Sequence, residues 1–130
     1  MKPTATPVLT ICIELALGVI LGAFGAHALE DRLAAAQQDT WETAVRYHFY
    51  HGLGALLIAL LAQHRTSRLF VLAIRLHLAG ILLFSGSLYL LATQSVLGAD
   101  LSWLGPVTPL GGLAFVAGWI VAGWGFKTGQ

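Results

Sequence analysis

Four stretches of apolar residues, separated by short polar segments, dominate the sequence. They cover residues 7–29, 43–62, 69–93 and 109–126. A helix needs about 20 apolar residues to cross a hydrocarbon core about 30 Å thick, and each stretch is close to that length. The pattern predicts an all-α fold, an integral membrane four-helix bundle that forms a single domain over residues 1–130.

The composition supports a membrane environment. Hydrophobic residues make up 57% of the chain and charged residues only 10%, whereas about a quarter of the residues of a soluble domain are charged. We therefore expect the lipid bilayer to be the main partner of this surface. The formal net charge is only +1, and no basic stripe is interleaved with aromatic residues, so nucleic-acid binding is not expected.

The segment between the first two stretches has its own pattern. Residues 29–38 are rich in alanine, which predicts a short helix lying on the membrane surface. Asp39 followed by Glu42 fits a capping box that would begin the second membrane helix.

The basic residues predict the orientation of the chain. One side of the predicted bundle carries five of them, and the other side carries two among five acidic residues. The five are Lys2, Arg65, Arg68, Arg75 and Lys127, and the two are Arg32 and Arg46. Because cytoplasmic loops are enriched in Lys and Arg, this asymmetry predicts a multi-pass membrane protein with both termini in the cytoplasm.

Glu14 lies inside the first apolar stretch. An ionised carboxylate at that depth costs about 2.5–3.5 kcal/mol on insertion scales unless it has a partner. His77 and Arg75 lie at a similar predicted depth in the third stretch, so we expect Glu14 to pair with one of them. The pair could be a structural contact that fixes helix register, or a proton or ion site.

Three histidines lie near the opposite face of the membrane. His48 and His51 are three residues apart on the second helix, and His27 ends the first helix at a similar level. This spacing predicts a zinc or copper site formed by His27, His48 and His51. The alternative is that these side chains form hydrogen bonds with loop backbone and interfacial water.

No motif of a known catalytic chemistry is present. The sequence lacks a Gly-x-Ser-x-Gly elbow, a Walker loop, a His-Glu-x-x-His pair and a dinucleotide fingerprint. We therefore expect a protein that is not an enzyme and that needs no cofactor.

Four short motifs, in order along the chain, carry a resemblance to a known family. They are Gly22-Ala23-Phe24-Gly25-Ala26-His27, Tyr47-His48-Phe49-Tyr50-His51, Phe84-Ser85-Gly86-Ser87-Leu88-Tyr89 and Thr108-Pro109-Leu110-Gly111-Gly112. With these motifs the chain resembles the YgdD/YwdK-like family, small bacterial inner-membrane proteins of unknown function with relatives in eukaryotes. The resemblance implies a four-helix membrane protein without an assigned activity, and it carries over no catalytic residue. His27 and His51 match motif positions, whereas Glu14 and His77 lie outside the motifs.

Two functional hypotheses follow. The first is a non-catalytic accessory or structural component of the membrane, acting with another membrane protein or as a homo-oligomer. The alternative is an oligomeric ion, proton or small-molecule binder or transporter that uses Glu14 and His77, or the cluster of His27, His48 and His51. Four short helices enclose little volume, so a conduction path would require several copies.

Overall fold

The computed structural model describes residues 5–65 and 67–129, and Lys2 lies outside this part of the chain. Five α-helices form the fold: α1 (Ala5–His27), α2 (Ala35–Leu61), α3 (Arg68–Gly80), α4 (Gly86–Leu97) and α5 (Val107–Thr128). A π-helical segment, Ile81–Ser85, joins α3 to α4. Short 3₁₀ turns follow α2 and precede α5, at Ala62–His64 and Ser102–Leu104.

These helices make four segments that are long and apolar enough to cross a membrane. The segments are Pro7–His27, Ala35–His64, Arg68–Leu97 and Ser102–Thr128. The third comprises α3, the π segment and α4. The predicted four-helix membrane bundle is therefore confirmed, with a second span that begins eight residues earlier and a third that ends four residues later than predicted.

The surface helix predicted at residues 29–38 is wrong. Residues 28–34 form turns and an extended residue, and α2 begins at Ala35. The predicted box of Asp39 and Glu42 does not begin the helix, because the Gln37 side chain accepts the Ala34 N–H at 3.0 Å instead. Alanine and glutamine favour helix, and extending an existing helix avoids the cost of a second nucleus.

The third span departs from α-helical geometry where α5 approaches it most closely. The N–H of Gly86 bonds to the Ile81 carbonyl, five residues earlier. A Cβ atom on Gly111 would lie 2.7 Å from the Phe84 Cβ and 2.8 Å from the Leu83 carbonyl carbon. Glycine at position 111 therefore allows the backbone of α5 to rest on the π segment.

Helices α1, α3 and α4 pack against α2, and α5 packs against α3 and the π segment. The apolar core includes Ile58 of α2, Phe70 and Ala73 of α3, and Ala122 of α5, and α3 and α5 pack extensively against each other. Helix α1 packs mainly against α2, and Ile11 is its fully buried residue in this core. Only 11% of the apolar window of α1 is buried, against 44% for that of α2. Helix α1 therefore lies at the edge of the bundle.

Arg65 fixes the relative position of the α2–α3 connection and the end of α5. Its Nη1 donates to the carbonyl oxygens of Phe126 and Gly129, at 3.1 and 3.0 Å. The guanidinium thus binds the carbonyls at the end of α5, where a positive charge also complements the helix dipole. Arg65, Arg68 and Lys127 consequently lie at the same end of the bundle.

Candidate functional site

Two clusters of polar side chains lie on neighbouring faces of α2. His48 and His51 are three residues apart, which is about 300° of rotation at 3.6 residues per turn. Their side chains therefore point about 60° apart around the helix axis. His48 contacts Glu14 of α1 and Tyr89 of α4, whereas His51 contacts residues of α3 and α5.

The first cluster is the Glu14–His48–Tyr89 chain. The Nε2 of His48 lies 2.9 Å from the Glu14 carbonyl oxygen and 3.5 Å from the Glu14 Oε2. The Nδ1 of His48 lies 3.2 Å from the Tyr89 hydroxyl. A neutral His48 with its proton on Nε2 satisfies both hydrogen bonds, because Nε2–H donates to the carbonyl and Nδ1 accepts from the phenol. The carboxylate of Glu14 thus has an imidazole as its close polar neighbour.

The predicted pairing of Glu14 with His77 or Arg75 is wrong. His77 is fully buried and its Nδ1 lies 2.8 Å from the Ala73 carbonyl oxygen, while Arg75 is exposed. Both residues lie on α3, and α1 packs mainly against α2. The predicted depths were similar, but the neighbour that faces α1 at this depth is His48 of α2.

The second cluster is the His51–His77 pair. The ring centroids of the two imidazoles lie 5.4 Å apart. The His51 ring stacks on Phe115 with centroids 3.4 Å apart and planes at 5°, and the Trp119 ring meets His77 nearly edge-on at 4.7 Å. His51 Nδ1 and His77 Nε2 are both buried and have no hydrogen-bond partner within residues 5–65 and 67–129. Each atom left in this way costs about 1–3 kcal/mol of desolvation.

The predicted metal site of His27, His48 and His51 is wrong. His27 is exposed at the end of α1, and both ring nitrogens of His48 have hydrogen-bond partners. His51 points about 60° away from His48 and contacts Phe115 and His77. Among residues 5–65 and 67–129, no group of three or more His, Cys, Asp or Glu side chains is placed to hold a metal ion.

A groove lies between the end of α1 and the start of α2, with a volume of about 490 Å³. Its lining includes Glu30, Glu42 and Arg46. At its floor the Trp41 Nε1–H donates to the Leu21 carbonyl oxygen at 3.0 Å. The Trp41 indole packs directly over Gly25, where any side chain would collide with it.

Comparison with known proteins places the chain in a family. Residues 21–112 match the family described as Protein of unknown function (DUF423). The chain belongs to this family. The matched region includes α2, α3, the π segment and α4, together with His48, His51 and His77.

Curated relatives are membrane proteins. The chain is 44% identical over 110 residues to the UPF0382 membrane protein YwdK of Bacillus subtilis, covering 84% of this chain and 85% of the relative. It is 46% identical over 105 residues to a UPF0382 membrane protein of Staphylococcus epidermidis, covering 81% of each. It is 40% identical over 101 residues to the UPF0382 inner membrane protein YgdD of Escherichia coli, covering 78% and 73%. No solved structure matches the chain. The protein is thus a multi-pass membrane protein of a family of unknown function.

Proposed function

We propose that this chain is a non-catalytic accessory protein of the bacterial cytoplasmic membrane, with both termini in the cytoplasm, that binds a membrane-spanning helix of another protein through α1. The observation that carries this proposal is the position of Glu14. Its side chain is 35% exposed on a helix that the rest of the bundle covers on one side only.

A carboxylate exposed at this depth has a strong preference for a protein neighbour. Glu14 lies nine residues from Ala5 in α1, which is about 14 Å along the axis at 1.5 Å per residue. His48 approaches one carboxylate oxygen at 3.5 Å, while the exposed part of the side chain faces away from the bundle. Since ionisable groups within membranes face protein or water and not acyl chains, this exposed part favours a partner helix.

The chemistry of the partner follows from the carboxylate. A negative group is matched by a span that presents Lys, Arg, His, Asn or Gln at the same depth, because hydrogen-bond donors stabilise a carboxylate in a medium of low polarity. The exposed residues beside Glu14 on α1 are Ile13 and Leu17, so the partner span would pack apolar side chains around the donor residue.

The proposed orientation is supported by charge. Arg65, Arg68 and Lys127 lie at one end of the bundle, while Glu30 and Asp100 lie at the other, in the connections between spans. The basic end is assigned to the cytoplasm by the positive-inside rule. One relative, YgdD, is named an inner membrane protein, which agrees with this location.

The proposed non-catalytic role is supported by the polar groups inside the bundle. In the Glu14–His48–Tyr89 chain, both nitrogens of His48 bond to groups of the same chain. The sequence contains no nucleophile motif of the kinds that sequence analysis can recognise. The alternative of ion transport by Glu14 together with His77 is less well supported, because Glu14 lies beside His48 whereas His77 lies beside His51.

Site-specific photo-cross-linking in native membranes tests the proposal. A photoreactive residue would replace Ile13 or Leu17, which flank Glu14 and are exposed. Leu113 and Ile120 of α5, also exposed, are the matched control positions. We expect an adduct with one membrane protein at the α1 positions, through a span that carries a donor residue, and only lipid adducts on α5.

Two further results decide the outcome. Glu14→Leu should abolish the adduct at position 13 while the helical circular dichroism is retained. Glu14→Lys should also abolish the adduct, and replacing the donor residue of the partner by Asp or Glu should restore the adduct with the Glu14→Lys variant. An adduct that survives Glu14→Leu, or lipid adducts alone, would refute the proposed role of α1. An adduct at position 13 that joins two copies of the chain would show that a second copy occupies this face instead.

A further inference from the structure

We propose that the groove between the end of α1 and the start of α2 binds the phosphoethanolamine headgroup of a membrane lipid. Arg46 binds the phosphate, and Glu30 and Glu42 bind the ammonium group. The groove has a volume of about 490 Å³, and all three charged residues line it. The proposal goes beyond the role proposed for Glu14 and is independent of it, because the groove begins at Gly22, about 12 Å further along α1.

The groove lies at the level of the lipid headgroups. The residues of α1 that line it are Gly22, Gly25 and Ala26, close to the end of the first span at His27. Trp41 packs over Gly25, so the part of α2 that lines the groove lies at the same level. The second span has 30 residues and is about 45 Å long, which exceeds the hydrocarbon core of about 30 Å. A headgroup therefore reaches the groove without leaving its own layer of the bilayer.

The charged groups that line the groove are not neutralised by one another. Glu42 and Arg46 are four residues apart on α2 and therefore lie on the same face of the helix. Within residues 5–65 and 67–129, neither of these charged groups nor the carboxylate of Glu30 takes part in an ion pair or a hydrogen bond. The groove thus offers one guanidinium and two carboxylates to a ligand, and a ligand that carries charges of both signs satisfies them together.

These charges select a headgroup that carries a phosphate and a primary ammonium. A guanidinium presents its N–H donors in one plane and matches the oxygens of a phosphate. A primary ammonium has three N–H donors for the carboxylates, whereas the quaternary ammonium of a choline headgroup has none. A phosphoglycerol headgroup brings a negative charge and no cation, so two carboxylates would repel it. Phosphoethanolamine is the common headgroup that satisfies both requirements.

Hydrogen bonds hold the walls of the groove in place. The Gln38 Nε2 donates to the Glu30 carbonyl oxygen at 2.7 Å and joins the connection after α1 to α2. The Trp41 Nε1 donates to the Leu21 carbonyl oxygen at 3.0 Å and joins the two helices at the floor. Phe24 is 48% exposed, and its ring centroid lies 6.1 Å from that of Trp41, which gives the acyl chains an apolar surface beside the groove. Walls that are already ordered reduce the entropic cost of binding.

Native mass spectrometry of the detergent-purified full chain tests the site, with phosphatidylethanolamine, phosphatidylcholine and phosphatidylglycerol of identical acyl chains. We expect phosphatidylethanolamine to bind about 10-fold more tightly than the other two, the effect of one charged hydrogen bond. Glu30→Gln/Glu42→Gln should remove its preference over phosphatidylcholine, whereas Arg46→Gln should weaken the binding of both lipids about 10-fold, because both carry the phosphate. The matched controls are Asp39→Asn and Arg32→Gln, at exposed positions outside the lining of the groove, and they should bind as the wild type does.

Glycerophosphoethanolamine, which has the headgroup without acyl chains, should displace the lipid only at a concentration at least about 100-fold higher, because buried CH₂ groups add affinity. Displacement at an equal concentration would assign the groove to a soluble ligand and overturn the proposal. Equal binding of the three lipids by the wild type, or equal losses in the controls, would also overturn it. If the groove variants lose helical structure, wild type cross-linked to phosphatidylethanolamine with a photoreactive headgroup decides. Adducts at Leu33 or Val45, which line the groove, support the site, and adducts spread around the four spans refute it.

Discussion

The Oε2 of Glu14 lies 3.5 Å from the Nε2 of His48, and the same nitrogen lies 2.9 Å from the Glu14 carbonyl oxygen. One imidazole therefore contacts both the side chain and the backbone of a residue in the neighbouring helix. This contact joins α1, which is otherwise attached mainly through apolar packing, to the centre of the bundle.

Removing His48 should destabilise the protein more than neutralising Glu14. His48→Leu leaves the Tyr89 hydroxyl and the Glu14 carboxylate without their partner, and we expect a loss of about 2–3 kcal/mol. Glu14→Gln keeps the shape of the side chain and should cost less than about 1 kcal/mol. The measurement is unfolding in mixed detergent followed by circular dichroism. If the destabilisation of the double variant Glu14→Leu/His48→Leu equalled the sum of those of Glu14→Leu and His48→Leu, the two side chains would not be coupled.

Gly111→Ala should destabilise the contact between α5 and the π segment. The added methyl group would meet the backbone of Leu83 and Phe84, and overpacking of this kind costs about 1–3 kcal/mol. Gly123→Ala is the matched control on the same helix, since a Cβ there meets nothing within 4 Å. It should be neutral or more stable by up to about 1 kcal/mol. Equal effects of the two changes on the free energy of unfolding would contradict the close approach at Gly111.

Trp41→Phe should remove one interhelical hydrogen bond without opening the core. The indole N–H that donates to the Leu21 carbonyl is lost, which should cost about 0.5–1.5 kcal/mol. Trp103→Phe, at an exposed position, should change stability by less than about 0.5 kcal/mol. The comparison uses the same unfolding assay, and a larger effect at Trp103 would show that the Trp41 bond is unimportant.

Asp100, in the connection before α5, should titrate at an unusually low pH. The Ser102 hydroxyl and then the Ser102 backbone N–H donate to its carboxylate, and these bonds lower the pKa of Asp100. Because the folded-state pKa is depressed, the stabilisation is present above the ordinary pKa of aspartate and is lost as the pH falls through the folded value. Carboxyl ¹³C NMR measures this titration. Ser102→Ala should raise the pKa, and an unchanged value would contradict the role of the hydroxyl.

The spans could be predicted from the sequence because bilayer thickness sets their length. Apolar runs located all four. The start of α2 was misplaced by eight residues, because charged residues such as Asp39 and Glu42 extend the helix beyond its apolar part.

The partners of the polar residues could not be predicted. The position of a residue along its span indicates its depth in the membrane, but the sequence does not indicate how each helix is rotated about its axis. Glu14 was matched by depth to His77, although helix packing brings His48 to it. The His51–His77 pair had a signal in the sequence. His51 is ten residues before the end of α2 and His77 nine after the start of α3, which places both about 14–15 Å from the same end.

Measuring the orientation of the bundle in the membrane is the most direct test of this account, because the predicted location of every polar group depends on that orientation. In a Cys12→Ser background, single cysteines at Glu30 and Asp100 would be compared with single cysteines at His64 and Thr128 in intact cells, using a maleimide that does not cross the inner membrane. We predict labelling at Glu30 and Asp100 only, and labelling at His64 and Thr128 only after the cells are lysed. Labelling of His64 and Thr128 in intact cells, or of one position from each pair, would contradict four spans with both termini in the cytoplasm.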